Sequence, residues 1–167
     1  MDDIRFGVDI GRVIIAGPDH PGGGDTAFFT GDEATMLATP EVPGAVDALA
    51  RLVERSDGRV WLVSKCGPRV QDRTRRWLAA HDVFGRTGID PAALRFCLRR
   101  PQKRDHCLDL GLTDFVDDRP DVHDAIRGAV RRHYLFGPQR GPAPDYVEVT
   151  QTWADVLDAV ERSSTSG

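Results

Sequence analysis

With 167 residues, the chain is long enough to bury most of one core and too short to call for two domains. It is 40% hydrophobic and 29% charged, and no apolar run approaches the roughly eighteen residues of a membrane span, which excludes a transmembrane helix. A net charge of −4 argues against a general nucleic-acid binder.

Strand-like apolar runs alternate with amphipathic segments, the pattern of a parallel sheet covered on both faces. The first predicted strand is IRFGVDI, residues 4 to 10, which runs into Asp9. Residues 15 to 42 follow as a long insertion, the kind of connection that is usually functional or disordered. Three glycines at 22 to 24 let it bend, and Phe28 and Phe29 give it something to pack, so a flap or minimal cap is expected there. PGAVDALARLVERS, 43 to 56, opens with Pro-Gly and is predicted helical, with Val46, Leu49, Ala50 and Val53 inward. RVWLVS, 59 to 64, is the second strand. RVQDRTRRWLAAHD, 69 to 82, is a helix with Val70, Thr74, Trp77 and Leu78 inward, and its basic run RTRRW reads as a solvated face.

LRFCL, 94 to 98, is a short strand, and KRDHCLDLGL, 103 to 112, a short helix ended by Gly111. TDFVDD, 113 to 118, is a further strand, and PDVHDAIRGAV, 120 to 130, a helix opened by proline. RHYLFG, 132 to 137, and YVEVT, 146 to 150, complete the strands, WADVLDAVERS, 153 to 163, is the last helix, and residues 164 to 167 are expected as a disordered tail. One domain over residues 1 to 163 accounts for all of these elements.

The acidic start MDDIRF lacks the basic head and apolar run of a signal peptide, so a cytoplasmic location is expected. Cys66, Cys97 and Cys107 are odd in number and scattered, and read as reduced thiols. With His106 they lack the spacing of a zinc site. Only Lys65 and Lys103 among the 22 basic residues are lysine, a choice that favours a compact ammonium over a planar fork at those two places.

In an open parallel sheet, ligands bind beyond the carboxyl ends of the strands. The strand ends here carry Asp9, Ser64, the neighbourhood of Lys103, and the pair Asp117 and Asp118. Carboxylates brought together from two strands repel unless a cation lies between them, and hard oxygen ligands of this kind suit Mg²⁺.

These motifs resemble the haloacid dehalogenase-like superfamily of phosphohydrolases, in order and over nearly the whole chain: VDIGRVI, then VWLVSK, then PQK, then DFVDDRPD. The resemblance implies an α/β Rossmann-like three-layer sandwich with a central parallel sheet. It implies Asp9 as the nucleophile that takes up a phosphoryl group, Ser64 as a hydrogen-bond donor to it, and Lys103 as the neutralising cation. It implies Mg²⁺ held by Asp9, the carbonyl of Gly11 and Asp117, with Asp118 on a metal-bound water and Asp121 further out. Lys65 and Arg12 stand with Ser64 as candidates on the substrate side. A phosphorylated small molecule or macromolecule is the implied partner, and Phe28, Phe29, Arg99, Arg100 and Arg104 are candidates for its entrance.

The chain departs from the family at Gly11, where the resemblance calls for an aspartate that protonates the leaving alcohol. Arg12 and Val13 also stand where glycine and threonine are usual. Such acid–base help is worth about 10²–10⁴-fold in rate. The family's phosphonoacetaldehyde hydrolases also have a small residue here, but they use a cap lysine, and residues 15 to 42 contain no lysine. Asp19, His20, Asp25 or Asp32 of the insertion are candidates for a substitute acid or base. The alternative function is a non-catalytic protein on the same scaffold that binds a phosphorylated ligand.

Overall fold

The computed structural model describes residues 3–17 and 28–165. Six parallel strands form one sheet: β1 (Phe6–Val8), β2 (Val60–Lys65), β3 (Leu94–Cys97), β4 (Asp114–Asp117), β5 (Arg132–Phe136) and β6 (Val147–Thr150). Their spatial order is β3-β2-β1-β4-β5-β6, so the winding reverses between β1 and β4. That reversal is where an open α/β sheet leaves a crevice at its carboxyl edge. Val8 pairs with Val116, and the Asp9 amide donates to the Val116 carbonyl at 2.9 Å, which sets Asp9 beside Asp117 across the crevice.

Alternation along the strands feeds two cores. Phe6, Val8, Val60 and Leu62 face the larger one, with helices α1 (Glu33–Leu37), α2 (Ala45–Arg55), α3 (Pro68–Ala80) and α4 (Val83–Thr87) and the final helix, Trp153–Thr165. Val63 and Phe115 face the smaller one, under α5 (Lys103–Leu110) and α6 (Pro120–Ile126). The final helix is α7. Gly7 lies between two strands on this second face, where an added Cβ would stand 2.5 Å from the Phe115 ring and 2.6 Å from Leu112. The α/β sandwich expected from the sequence is therefore the one observed.

Several boundaries differ from expectation. The inward stripe of α2 consists of Ala45, Val46, Ala48, Leu49 and Leu52, while Ala50 and Val53 lie at its half-buried margin. The helix predicted over 120–130 stops at Ile126, because Arg127 is extended and Gly128 takes φ +85°. A short helix, α4, was not read from the sequence. It follows a left-handed turn at Asp82, φ +49°, which ends the amphipathic period of α3. The last helix continues to Thr165, two residues past its expected end. No helix among the described residues is long and apolar enough to cross a membrane.

The basic run on α3 is solvated at Arg75 and Arg76, but the half-buried Arg73, with Arg69 one turn earlier, is turned onto the insertion. Arg69 donates to the Phe29 carbonyl at 2.8 Å, and Arg73 to those of Phe28 and Gly31 at 3.2 and 2.7 Å. Arg76 pairs with Glu33 at 2.7 Å, and the buried Trp77 indole donates to the Thr39 carbonyl at 2.8 Å. The second half of the insertion leaves its carbonyls without strand partners, and these side chains supply the missing donors.

Candidate active site

The floor of the crevice is built at the β1–β4 switch point. Asp9 follows β1, Asp117 ends β4, and the Lys103 side chain rises from the first residue of α5 between them. Its Nζ donates to Asp9 Oδ1 at 3.0 Å and to Asp117 Oδ2 at 2.8 Å. All three are buried, with Asp117 completely inaccessible and Lys103 only 2% exposed. The Arg119 amide donates to Asp117 Oδ1 at 3.0 Å, so both oxygens of that carboxylate are held. Asp118 joins them: one oxygen from each of Asp9, Asp117 and Asp118 falls within 4.8 Å of the others.

The electrostatics of this group are unbalanced. Burial, and after it the Asp117 carboxylate, push the Asp9 carboxyl above the usual range, against the pull of Lys103. Burial together with Asp9 and Asp117 pushes Asp118 up to about 8. Burial alone would lower the Lys103 ammonium, but the two carboxylates override it and the net shift is upward, so Lys103 stays charged. Two carboxylates thus share one buried ammonium, with Asp118 a third acid beside them. Hard oxygen donors with uncancelled repulsion fit a small divalent cation such as Mg²⁺.

A pocket of about 210 Å³ opens over this floor. It is lined by Asp9, Gly11, Ser64, Lys103 and Asp118, with Arg12 and Lys65 exposed at its edge. Of Asp9, Gly11, Arg12, Ser64, Lys65, Lys103, Asp117 and Asp118, only Asp117 does not line it, because Asp117 lies beneath, tied to Lys103. Arg12 holds a left-handed backbone, φ +65°, and its amide closes a turn onto the Ile15 carbonyl at 2.7 Å. Phe28 is buried and Phe29 is 41% exposed, with their rings edge to face at 5.6 Å, and both line the pocket.

Other candidates fall elsewhere. Asp32 caps α1 by accepting from the Thr35 amide at 2.8 Å; the Thr35 side chain, and after it that amide, lower its pKa, and it does not line the pocket. It is no substitute acid. Asp19, His20 and Asp25 lie outside the described residues. Asp121 is outside the carboxylate cluster and pairs with Arg100 at 3.5 Å. Arg100 reaches the pocket, whereas Arg104 is spent on the carbonyls of Ala125 and Arg127 and Arg99 is not among the lining residues. The cysteines are free and buried, and His106 bonds the Phe96 carbonyl.

Two residues at the site carried no recognised signal. Arg119 lines the pocket between Asp118 and Pro120. His123, fully buried on α6, bonds the Asp117 carbonyl at 3.1 Å and His133 at 3.1 Å. Burial holds both imidazoles below their usual pKa, His133 at about 4, so they pack as neutral rings. An isolated histidine in a helix gives no hint in sequence that it will brace the strand end of a candidate ligand.

No protein-family model matches the sequence, and no curated protein matches it. Among solved structures, the chain is similar to D,D-heptose 1.7-bisphosphate phosphatase from B. bronchiseptica, a crystal structure complexed with magnesium and phosphate. The TM-score is 0.67 at 17% sequence identity, over 96% of this chain and 99% of that one. This likeness shows the fold, an α/β sandwich around a parallel sheet as expected from the sequence.

Proposed function

We propose that the chain is a Mg²⁺-dependent phosphohydrolase of haloacid dehalogenase type, working through an aspartyl-phosphate on Asp9 and lacking a general acid at position 11. One observation carries this reading: Asp9, Lys103 and Asp117 form a buried ion triplet at the carboxyl ends of adjacent parallel strands, directly under an open pocket. The magnesium and phosphate held by the solved neighbour support it.

In this reading the Asp9 carboxylate attacks phosphorus, the bond from phosphorus to the leaving oxygen breaks, and the phosphoryl group stays on Asp9 until water hydrolyses the acyl phosphate. Lys103 fixes the Asp9 carboxylate in position and remains charged throughout. Ser64, 8% exposed at the end of β2, donates to a phosphoryl oxygen. Asp117 and Asp118, with Asp9 and the Gly11 carbonyl, would hold the Mg²⁺, which supplies the charge that cancels carboxylate repulsion and draws in the phosphoryl oxygens. Ile15, Phe28 and Phe29, the described residues of the insertion that line the pocket, are consistent with a flap or minimal cap at its entrance.

Gly11 favours a second reading, a protein that binds a phosphorylated ligand without turning it over. The two separate in one assay of phosphate release from acetyl phosphate and 4-nitrophenyl phosphate. The hydrolase reading expects Mg²⁺-dependent release that chelation with EDTA abolishes and excess Mg²⁺ restores. Release no faster than in buffer would leave the binding reading. Release that is indifferent to EDTA would remove the metal from the account.

A further inference from the structure

We propose that the mouth of the Asp9 pocket holds a second anionic group of the substrate, so that the substrate class is a small molecule carrying a carboxylate or phosphate besides the transferred phosphoryl. This deepens the phosphohydrolase reading and rests on it.

Four cations reach one pocket from four successive strand ends: Arg12 after β1, Lys65 at the end of β2, Arg100 after β3 and Arg119 after β4. The chain as a whole is acidic, at −4, so this gathering runs against its overall balance. The carboxylates lining the pocket, Asp9 and Asp118, both belong to the floor cluster. Lys65 is exposed at the pocket edge, and Arg119 acts on the Asp118 carboxyl of the floor, pulling its pKa down against burial. Arg100 has only the exposed Asp121, at 3.5 Å, the kind of surface pair worth about 1 kcal/mol or less and readily exchanged.

The transferred phosphoryl is already provided for on the floor, by Lys103 and Ser64. Lys65, Arg100 and Arg119 carry like charge at one mouth, an anion placed among them relieves that repulsion, and guanidinium forks suit carboxylate and phosphate oxygens alike. Ile15, Phe28 and Val70 give the same pocket an apolar wall against which a short carbon spacer can lie. At about 210 Å³, the space is below the roughly 300–1,000 Å³ of sites for drug-sized ligands, which selects a short spacer and a small ligand.

The test is calorimetric titration of the full chain, in Mg²⁺, with three non-hydrolysable probes of matched length: propylphosphonate, 3-phosphonopropionate and propane-1,3-diphosphonate. A second anionic group is expected to tighten binding about fivefold or more over propylphosphonate, as expected for partly exposed ion pairs. The gain should shrink as salt is raised. Whichever probe gains more identifies carboxylate or phosphate as the partner of the mouth. In the double variant Lys65→Ala/Arg119→Ala, the ratio of dissociation constants should fall to about one. Equal affinity for the three probes, or a gain that survives in the double variant, overturns the proposal and leaves the phosphoryl floor standing. Failure of propylphosphonate to bind, together with no phosphate release from acetyl phosphate, overturns the hydrolase reading and this proposal with it.

Discussion

Replacing Asp9 by asparagine lowers Mg²⁺-dependent phosphate release from acetyl phosphate by about 10³-fold or more, the scale of loss when a nucleophile is removed. The amide is nearly isosteric but a poor nucleophile. It also takes one negative charge from a cluster in which burial and Asp117 already push the Asp9 carboxyl upward. The fold should survive, because Lys103 keeps its 2.8 Å bond to Asp117 and the Asp9 amide keeps its bond to Val116. The variant should therefore melt near the wild-type temperature, and circular dichroism should be unchanged. A variant that is folded and as active as wild type would remove Asp9 from the chemistry. A variant that is inactive because it is unfolded would show up at once in the melting curve.

Gly11→Asp is expected to change activity in the opposite direction. A Cβ built at Gly11 meets nothing within 4 Å, and Gly11 is absent from the positive-φ residues, so a side chain enters without clash or backbone strain. It would project from a residue that already lines the pocket beside Asp9. Restoring the acid that the family resemblance implies there should raise kcat for an alkyl phosphate by up to about 10²–10⁴-fold. The gain for acetyl phosphate should be much smaller, because its leaving acetate needs no proton. Measured kcat for the two substrates, before and after substitution, gives the contrast. Equal gains, or none, would mean that proton donation is not what position 11 lacks.

Much of the site could be read from the chain because parallel-sheet geometry is so restrictive. A strand that ends in a polar residue delivers that residue to the carboxyl edge, so Asp9, Ser64 and Asp117 were placed by strand recognition alone. Lys103 could be brought to the neighbourhood of the crevice by the strand-end pattern, and its role came by resemblance, but its buried position between two carboxylates depends on how α5 packs, which no local pattern encodes. His123 and Arg119 escaped for the same reason, since their roles arise from neighbours distant along the chain. Arg73 of α3 was misread because a basic run on a helix normally faces water, as its neighbours Arg75 and Arg76 do. Here the insertion brings bare carbonyls against it, and such pairing leaves no periodic trace. Asp32 shows the converse: a carboxylate that could serve chemistry turned out to cap a helix, the commoner use of aspartate before Glu-Ala-Thr.

The central claim is that Asp9 is aimed at phosphorus while Asp117 and Asp118 hold the cation beside it. Its most direct test is a crystal structure of the chain grown with Mg²⁺ and beryllofluoride, which mimics a phosphoryl group on a carboxylate. The expected result is tetrahedral density joined to an Asp9 carboxylate oxygen, within reach of Ser64 and Lys103, with an ion contacting Asp9 and Asp117. Beryllofluoride bound away from Asp9, or an ion settled elsewhere with Lys103 still closing the gap between Asp9 and Asp117, would contradict it.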